Sequence, residues 1–467
     1  MKYRLSTACL LVGLLTPALA SANPEPTAYD SRSIGMGLTG VTYLDRPAAL
    51  VLNPANLEGI EKLGFTFNFV GLFTKQQAPV AGPNTKVDSN LGFGPIPAGF
   101  IAGRIAPRVV FGAGIYIETG YGSSFSGVNC VDGDPVGPGP EYAPSTPPDC
   151  TSPQPQNLDV TFFVGEFTTG FSFRVHEKFQ LGVALRLPFS KQISDLYQNV
   201  GAVFDTVAYE RVKNNIGGVG FPSPRFGFTI KPHRKVRISA MYRMYSKIKL
   251  TGATESTFAG TQLELDASAD WFIPHAVAFG VSYQANSHLL LAFELRAQFH
   301  GADKSGNKNQ TVTTSGGALT PAPIVVPFGW QNTWSLKIGF EYRFKKDFLA
   351  LRLGTNIANS ATTGEFAQYF TPPPTPFNFS TGSAGLGFYW DDRNDPSIKD
   401  KYQLDIAGLF SSTGKTFGNE YIGTTSQVPG TDTNVVLCSD QQVVRTGCPG
   451  RYRVMSFWAS VSFTLQY

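Results

Sequence analysis

Alternate residues from Phe457 to Tyr467 are apolar. Phe457, Ala459, Val461, Phe463, Leu465 and Tyr467 share one face of an extended chain, and Trp458, Ser460, Ser462, Thr464 and Gln466 share the other. A strand turns successive side chains to opposite faces, so this segment predicts a strand with one oily and one mostly polar surface. The pattern recurs along most of the chain. Phe65, Phe67 and Phe69 form one stripe, Val109 to Ile117 by twos another, and Phe163, Phe167, Phe171 and Phe173 a third. Alternate residues of Leu181–Leu187, Val236–Met244, Leu289–Leu295, Trp334–Phe344, Leu349–Leu353 and Tyr402–Ile406 repeat it.

Charged residues collect on the opposing faces, among them Glu166, Arg186, Arg243, Glu294, Arg296, Glu341, Arg352 and Asp405. An arginine facing lipid at the midplane costs about 2–4 kcal/mol, so the oily stripes predict bilayer contact and the charged faces a lumen. Beyond the N-terminal leader no segment reaches the roughly 18–20 apolar residues of a membrane-spanning helix. An open sheet would leave unpaired backbone groups in hydrocarbon. The predicted fold is therefore all-β, a closed transmembrane antiparallel β-barrel. The competing reading, a soluble β-sandwich or solenoid with one wet face, fits the dense aromatic stripes and short turns less well.

Connections alternate in length. Short turns fall at 106–107, 176–177, 231–235, 285–288 and 345–347, with a longer one at 391–400. Long connections fall near 75–97, 122–157, 191–220, 301–331, 359–378 and 413–452, with a tighter reversal near Thr251. Reading 260–284 as one strand kinked at Pro274 gives about 14 strands, an even count that suits short periplasmic turns and long external loops.

Composition agrees with little helix: of 467 residues 49 are Gly and 33 Pro, and only 15% are charged. Met1 to Ala20 reads as a signal peptide, with Lys2 and Arg4 before an apolar run and a small-x-small cut after Ala20 or Ala22. Removing it lowers the net charge from +4 by the two cations Lys2 and Arg4, too small a surplus for a nucleic-acid binder. The remaining cysteines form two local pairs, Cys130 with Cys150 and Cys438 with Cys448, read as disulfides in external loops rather than as a metal site. No metal or cofactor is expected. Neither G-x-S-x-G nor H-E-x-x-H occurs, Gly414-Lys415-Thr416 lacks a correctly spaced glycine for a phosphate loop, and Asp391, Asp392 and Asp395 read as a solvated turn.

Residues 21–61 fit neither strand nor helix and are too apolar for a solvated tail. A barrel of roughly 14 strands encloses a wide bore, so this segment predicts a plug, with the barrel itself at 62–467. Gly35-Met36-Gly37-Leu38-Thr39-Gly40, Ala48-Ala49-Leu50 and Asn53-Pro54-Ala55-Asn56-Leu57 resemble the N-terminal hatch of the FadL/TodX outer-membrane transport family. Phe111 to Tyr116 with Gly120 is similar to that family's third strand, and Asn332 to Tyr342 with Leu351 to Gly354 to its tenth and eleventh. One departure is Glu118, where relatives often carry proline.

The resemblance implies a monomeric outer-membrane transporter of a Gram-negative bacterium. Long-chain fatty acids or hydrocarbons would be captured at the outer loops, amid lipopolysaccharide, and would leave sideways through an opening at the third strand. Asn53, Pro54 and Ala55 would border that opening, and Gly112 and Gly114 would loosen the strand. Arg186 faces the lumen and could meet a ligand carboxylate, although a lumenal salt bridge is the commoner use of such a residue. The alternatives are a general diffusion porin for small polar solutes and a surface barrel lipase or protease.

Overall fold

The computed structural model describes residues 29–80, 84–128, 156–199, 209–258, 261–302, 304–315, 324–344, 348–368, 379–391, 401–432, 434–438 and 447–467. The leader, the Cys130–Cys150 pair, the turn at 392–400 and the start of the plug at 21–28 lie outside them.

Fourteen wall strands close into one antiparallel barrel. They are β1 (Leu63–Ala78), β2 (Gly92–Ala106), β3 (Val109–Val128), β4 (Gln156–His176), β5 (Phe179–Asn199), then five strands in two pieces each. These are β6 (Tyr209–Val219 and Ser223–His233), β7 (Val236–Arg243 and Ser246–Phe258), β8 (Thr261–Ile273 and Ala276–Gln284), β9 (Leu289–Gln298 and Asn309–Ser315) and β10 (Ile324–Pro327 and Thr333–Arg343). The wall continues with β11 (Leu349–Ala358), β12 (Phe379–Trp390), β13 (Tyr402–Phe417) and β14 (Gly450–Gln466). Pairing of Gly64 with Gln466 through Gln77 with Arg453 joins β14 to β1. That seam leaves no edge strand, as a wall in hydrocarbon requires.

The predicted kink at Pro274 is present, and it is one of a row. The breaks in β6 to β10 lie side by side, because Arg225 pairs with Arg243, Arg243 with Ala276, Ala276 with Gln298 and Gln298 with Thr333. Pro222 and Pro274 sit in two of the breaks and have no N–H to give the ladder. Thr251, by contrast, is no reversal. It lies inside β7, paired with Gly217 on one side and Ser268 on the other, and the β7–β8 ladder continues past it to Phe258 and Thr261.

Toward the short turns the oily stripes face out, with Phe293 50% and Leu295 52% exposed, and the polar faces point in. Beyond the row of breaks the polarity of β6 to β8 reverses. Lys249, Glu264 and Asp266 face out while Ile248, Leu250, Ala267, Ala269 and Trp271 are buried inside. The strands are consequently longer than a bilayer needs: β5 has 21 residues, against about 9–11 for a spanning strand. Much of what reads as loop in the sequence is wall standing clear of the hydrocarbon. Phe293→Arg, on the lipid face, is expected to destabilise the folded barrel by about 2–4 kcal/mol in urea titrations from lipid vesicles. A loss under 0.5 kcal/mol would place that stripe outside the membrane.

Candidate functional site

The N-terminal segment folds inside the short-turn half of the bore. It contains α1 (Ser31–Gly35), capped by the Asp30 carboxylate, α2 (Ala49–Leu52) and a 3-10 turn at Pro54–Gly59. Two arginines tie it to the wall. Arg32 donates to Glu341 of β10 at 2.6 and 2.8 Å, and Arg46 pairs with Asp405 of β13 at 2.6 Å and with Asp30 at 3.1 Å. Arg352 of β11 joins these anchors, 2.7 Å from both Glu341 and Asp405.

Glycines on the inner wall give the plug its seat. A Cβ on Gly182 would occupy the space of the Pro54 and Ala55 backbone, one on Gly354 that of Met36 and Gly37, and one on Gly227 that of the Asn53 side chain. Such close backbone approach leaves room only for glycine. Asn53 holds the motif in place. Its Oδ1 accepts from the Ala55 N–H at 3.1 Å, and its amide donates to the Val41 carbonyl at 2.9 Å and to Thr229 Oγ1 at 3.0 Å. Ser172 donates to the Ala55 carbonyl at 2.8 Å. Asn53, Pro54 and Ala55 therefore pack against β4, β5 and β6.

Away from the row of breaks, the seam between β2 and β3 is interrupted although both strands continue. The ladder between β2 and β3 runs from Ala106–Val109 to Ala98–Tyr116 and stops. Asn90 meets β3 again farther on, its N–H donating to the Ser124 carbonyl at 2.8 Å. Between these two points lies a window. Its β2 side carries Pro95 and Pro97, which lack ladder donors, and its outer margin is apolar, with Phe93 58% and Ile115 53% exposed. On its β3 side a bulge between Ile117 and Thr119 inserts Glu118 opposite β4. A bulge bends its strand and shifts which residues face in; Tyr116 points inward before it, Phe125 after it.

Two groups of residues expected at a gate lie away from this window. Gly112 and Gly114 pair with Ala102 and Phe100 inside the intact ladder, below the window. Gly112 instead abuts Leu57 of the plug, and Gly114 lies under the Phe100 ring. The Asn53-Pro54-Ala55 turn does not border the window either. The plug residues beside it are Tyr29, Ile34 and Leu38, the last two clustered with Ile96 of β2 and Ile117 of β3. Strand-to-strand register decides both placements, and no single strand's sequence carries it.

Behind the window the lumen changes character. Five adjacent strands each send one charged side chain inward: Glu118, Glu166, Arg186, Arg225 and Arg243. Arg186 Nη1 lies 2.7 Å from Glu166, Arg225 Nη2 lies 3.6 Å from Glu166 and 3.9 Å from Glu118, and Arg243 pairs with Glu118. Tyr29 donates to Glu118 at 2.7 Å, and Tyr116 donates to Glu166. Arg186 is fully buried and also reaches Ser223 and, at 2.7 Å, the Met244 carbonyl. That arrangement makes it the salt-bridge partner, with its two terminal nitrogens already committed, rather than a ligand contact.

Toward the long loops from this charged belt the bore is filled by apolar side chains. Phe162 of β4 meets Trp271 of β8 with ring centroids 4.4 Å apart, and Trp271 contacts Phe328 and Trp330 at 5.8 and 5.6 Å. Phe125, Leu158, Val160, Ile248 and Leu250 complete the cluster. Phe417 and Tyr452 extend it to the ends of β13 and β14, where Cys438 and Cys448 form the expected disulfide. Gly414-Lys415-Thr416 is ladder within β13, paired with Arg453, Tyr452 and Arg451.

No protein-family profile matches the chain, and no curated protein matches it in sequence. Solved structures do. A FadL homologue of Pseudomonas aeruginosa superposes with a TM-score of 0.70 at 16% identity, covering 95% of this chain and 100% of that one. The Pseudomonas putida toluene transporter TodX gives 0.67 at 16%, covering 94% and 99%. The Ralstonia pickettii toluene transporter TbuX gives 0.64 at 16%, again covering 94% and 99%. From plug to closing seam, the chain has the fold of the FadL/TodX-type transport barrels.

Proposed function

We propose that this protein carries hydrophobic small molecules across the outer membrane without turnover, taking them from the outer side and releasing them sideways through the window between β2 and β3. The observation that carries the reading is a coincidence of place. The ladder between β2 and β3 ends at Tyr116, and Tyr116 is itself part of the charged belt on which the apolar cluster rests. An oily solute moving down the cluster meets ionic groups that it cannot desolvate favourably. The window beside it opens on an apolar outer surface. Descent is blocked and lateral exit is favoured, so the solute's own gradient supplies the drive.

The plug acts as the hatch of this route. Tyr29, Ile34 and Leu38 line its inner side, and movement of α1 would widen it. Asn53 acts at a distance by fixing the far side of the hatch to β6. A diffusion porin requires a watery bore; here the plug fills one half of the lumen and rings in contact across it fill the other. Fatty acids and monoaromatic hydrocarbons both suit an apolar throat, and parallel uptake of labelled oleate and toluene separates them.

The test is a staple. Pro97→Cys with Ile117→Cys places a cysteine pair one step beyond the last ladder pair, Ala98–Tyr116. Oxidised cells are expected to lose most uptake of the transported compound and to regain it with reductant, while wild-type cells treated identically do not change. Full uptake through the cross-linked protein, at equal surface level, would sink the lateral route.

A further inference from the structure

The underside of the hatch holds a cavity that the transport route does not use. It measures about 420 Å³ and lies at the short-turn end, between the hatch and the turn that joins β6 to β7. Hatch residues Arg32 and Arg46 form one side, and Arg234, Lys235 and Arg237 the other. Its charge does not balance. Arg32, Arg46 and Arg352 share three carboxylates, those of Asp30, Glu341 and Asp405. Arg237 pairs with Asp45 at 2.6 Å. Arg234 has no carboxylate partner among the described residues, and the Lys235 ammonium donates only to the Ala285 carbonyl, at 3.1 Å. Arg234 and Lys235 thus bring two cations to the cavity wall without a carboxylate partner among the described residues.

A concave site with low-dielectric walls concentrates the field of such a surplus. Guanidinium groups converging from two sides match the geometry of phosphate oxygens, which accept paired N–H donors. The volume falls in the range of small-ligand pockets and admits a phosphate with a glyceryl-sized substituent. From this geometry we infer that the cavity is a binding site for a phosphate-type dianion entering from the periplasmic side. The occupant bridges hatch to wall, with Arg32 on one side of it and Arg234 and Lys235 on the other. It adds to the ties that already run from Asp45 to Arg237 of β7 and from Glu58 to Arg104 of β2 and Arg174 of β4. This inference stands on the charge geometry alone and holds whether or not the window is the exit.

Two sources share this chemistry, a free phosphate ester and the headgroup of an anionic phospholipid, and the experiment has an arm for each. Full-length protein in neutral detergent at low ionic strength is titrated calorimetrically with inorganic phosphate and with glycerol 3-phosphate. The same protein in nanodiscs of phosphatidylglycerol or phosphatidylcholine is examined by native mass spectrometry for retained lipid. Arg234→Gln/Lys235→Gln is the test variant, since neither residue anchors the hatch, and Arg108→Gln on another turn is the control. Saturable binding that falls about tenfold or more in the double variant and persists in the control supports the site. Binding in the detergent arm identifies a free anion, and retention of phosphatidylglycerol alone identifies a headgroup. Absence of saturable binding in both arms, or binding unchanged in the double variant, overturns it.

Discussion

Gly182→Ala combined with Gly354→Ala is expected to convert a closed barrel into a conducting one. Each added methyl lands on plug backbone, Pro54–Ala55 in one case and Met36–Gly37 in the other, and backbone cannot swing aside as a flexible side chain can. Overpacking of this kind costs about 1–3 kcal/mol per site when the neighbours can shift, and the mobile partner is the plug. The wall should survive, because its ladders close independently of the plug. A bore of this strand number lies between small barrels filled by their own side chains and the 16- to 18-stranded porins with aqueous channels. In planar bilayers the double variant should show stable single-channel steps absent from the wild type, at equal heat-modifiable mobility on gels. Unchanged conductance would mean that the plug does not seal the bore.

Glu166→Leu should cause the largest loss of stability. Glu166 is fully buried, pairs with Arg186, lies 3.6 Å from Arg225 and accepts from Tyr116. Its removal leaves three arginines facing Glu118 alone, and stranding one partner of a buried pair costs about 3–5 kcal/mol. Glu166→Leu/Arg186→Leu removes both charges of the closest pair, so it should recover a substantial part of that loss. Urea midpoints in detergent micelles measure both variants. A single-variant loss below about 1 kcal/mol would show that the belt is hydrated.

Much of the barrel was legible in the chain because lipid leaves a one-sided record. The stripes at Phe65–Phe69, Leu289–Leu295 and Phe457–Tyr467 announce their faces without reference to any neighbour, and the even strand count followed from alternating turn lengths. The far reaches of β5 to β8 were hidden by the same logic applied backwards. Ile248 and Leu250 alternate with Lys247 and Lys249 as cleanly as any wall strand, but there the charges face outward. A reading that equates charge with lumen takes such a segment for loop. The window was hidden for a different reason: it is a missing partner, and nothing within a strand records its neighbour. Pro95 and Pro97 were the available signal, being residues that cannot complete a ladder. Glu118 stood out as a departure from the resembling sequences, yet its meaning needed Tyr29, Arg225 and Arg243, which only folding brings to it. Cys438 and Cys448, ten residues apart, were found from local spacing alone.

The inverted polarity beyond the row of chain breaks also sets a waterline. Along β6 to β8 the protein cannot sink by one residue pair without drawing Lys247 and Asp270 into hydrocarbon, nor rise without lifting Phe226 and Phe279 out of it. A bilayer of unsuitable thickness must therefore stretch or thin around this side of the barrel, because the barrel's draught there is fixed.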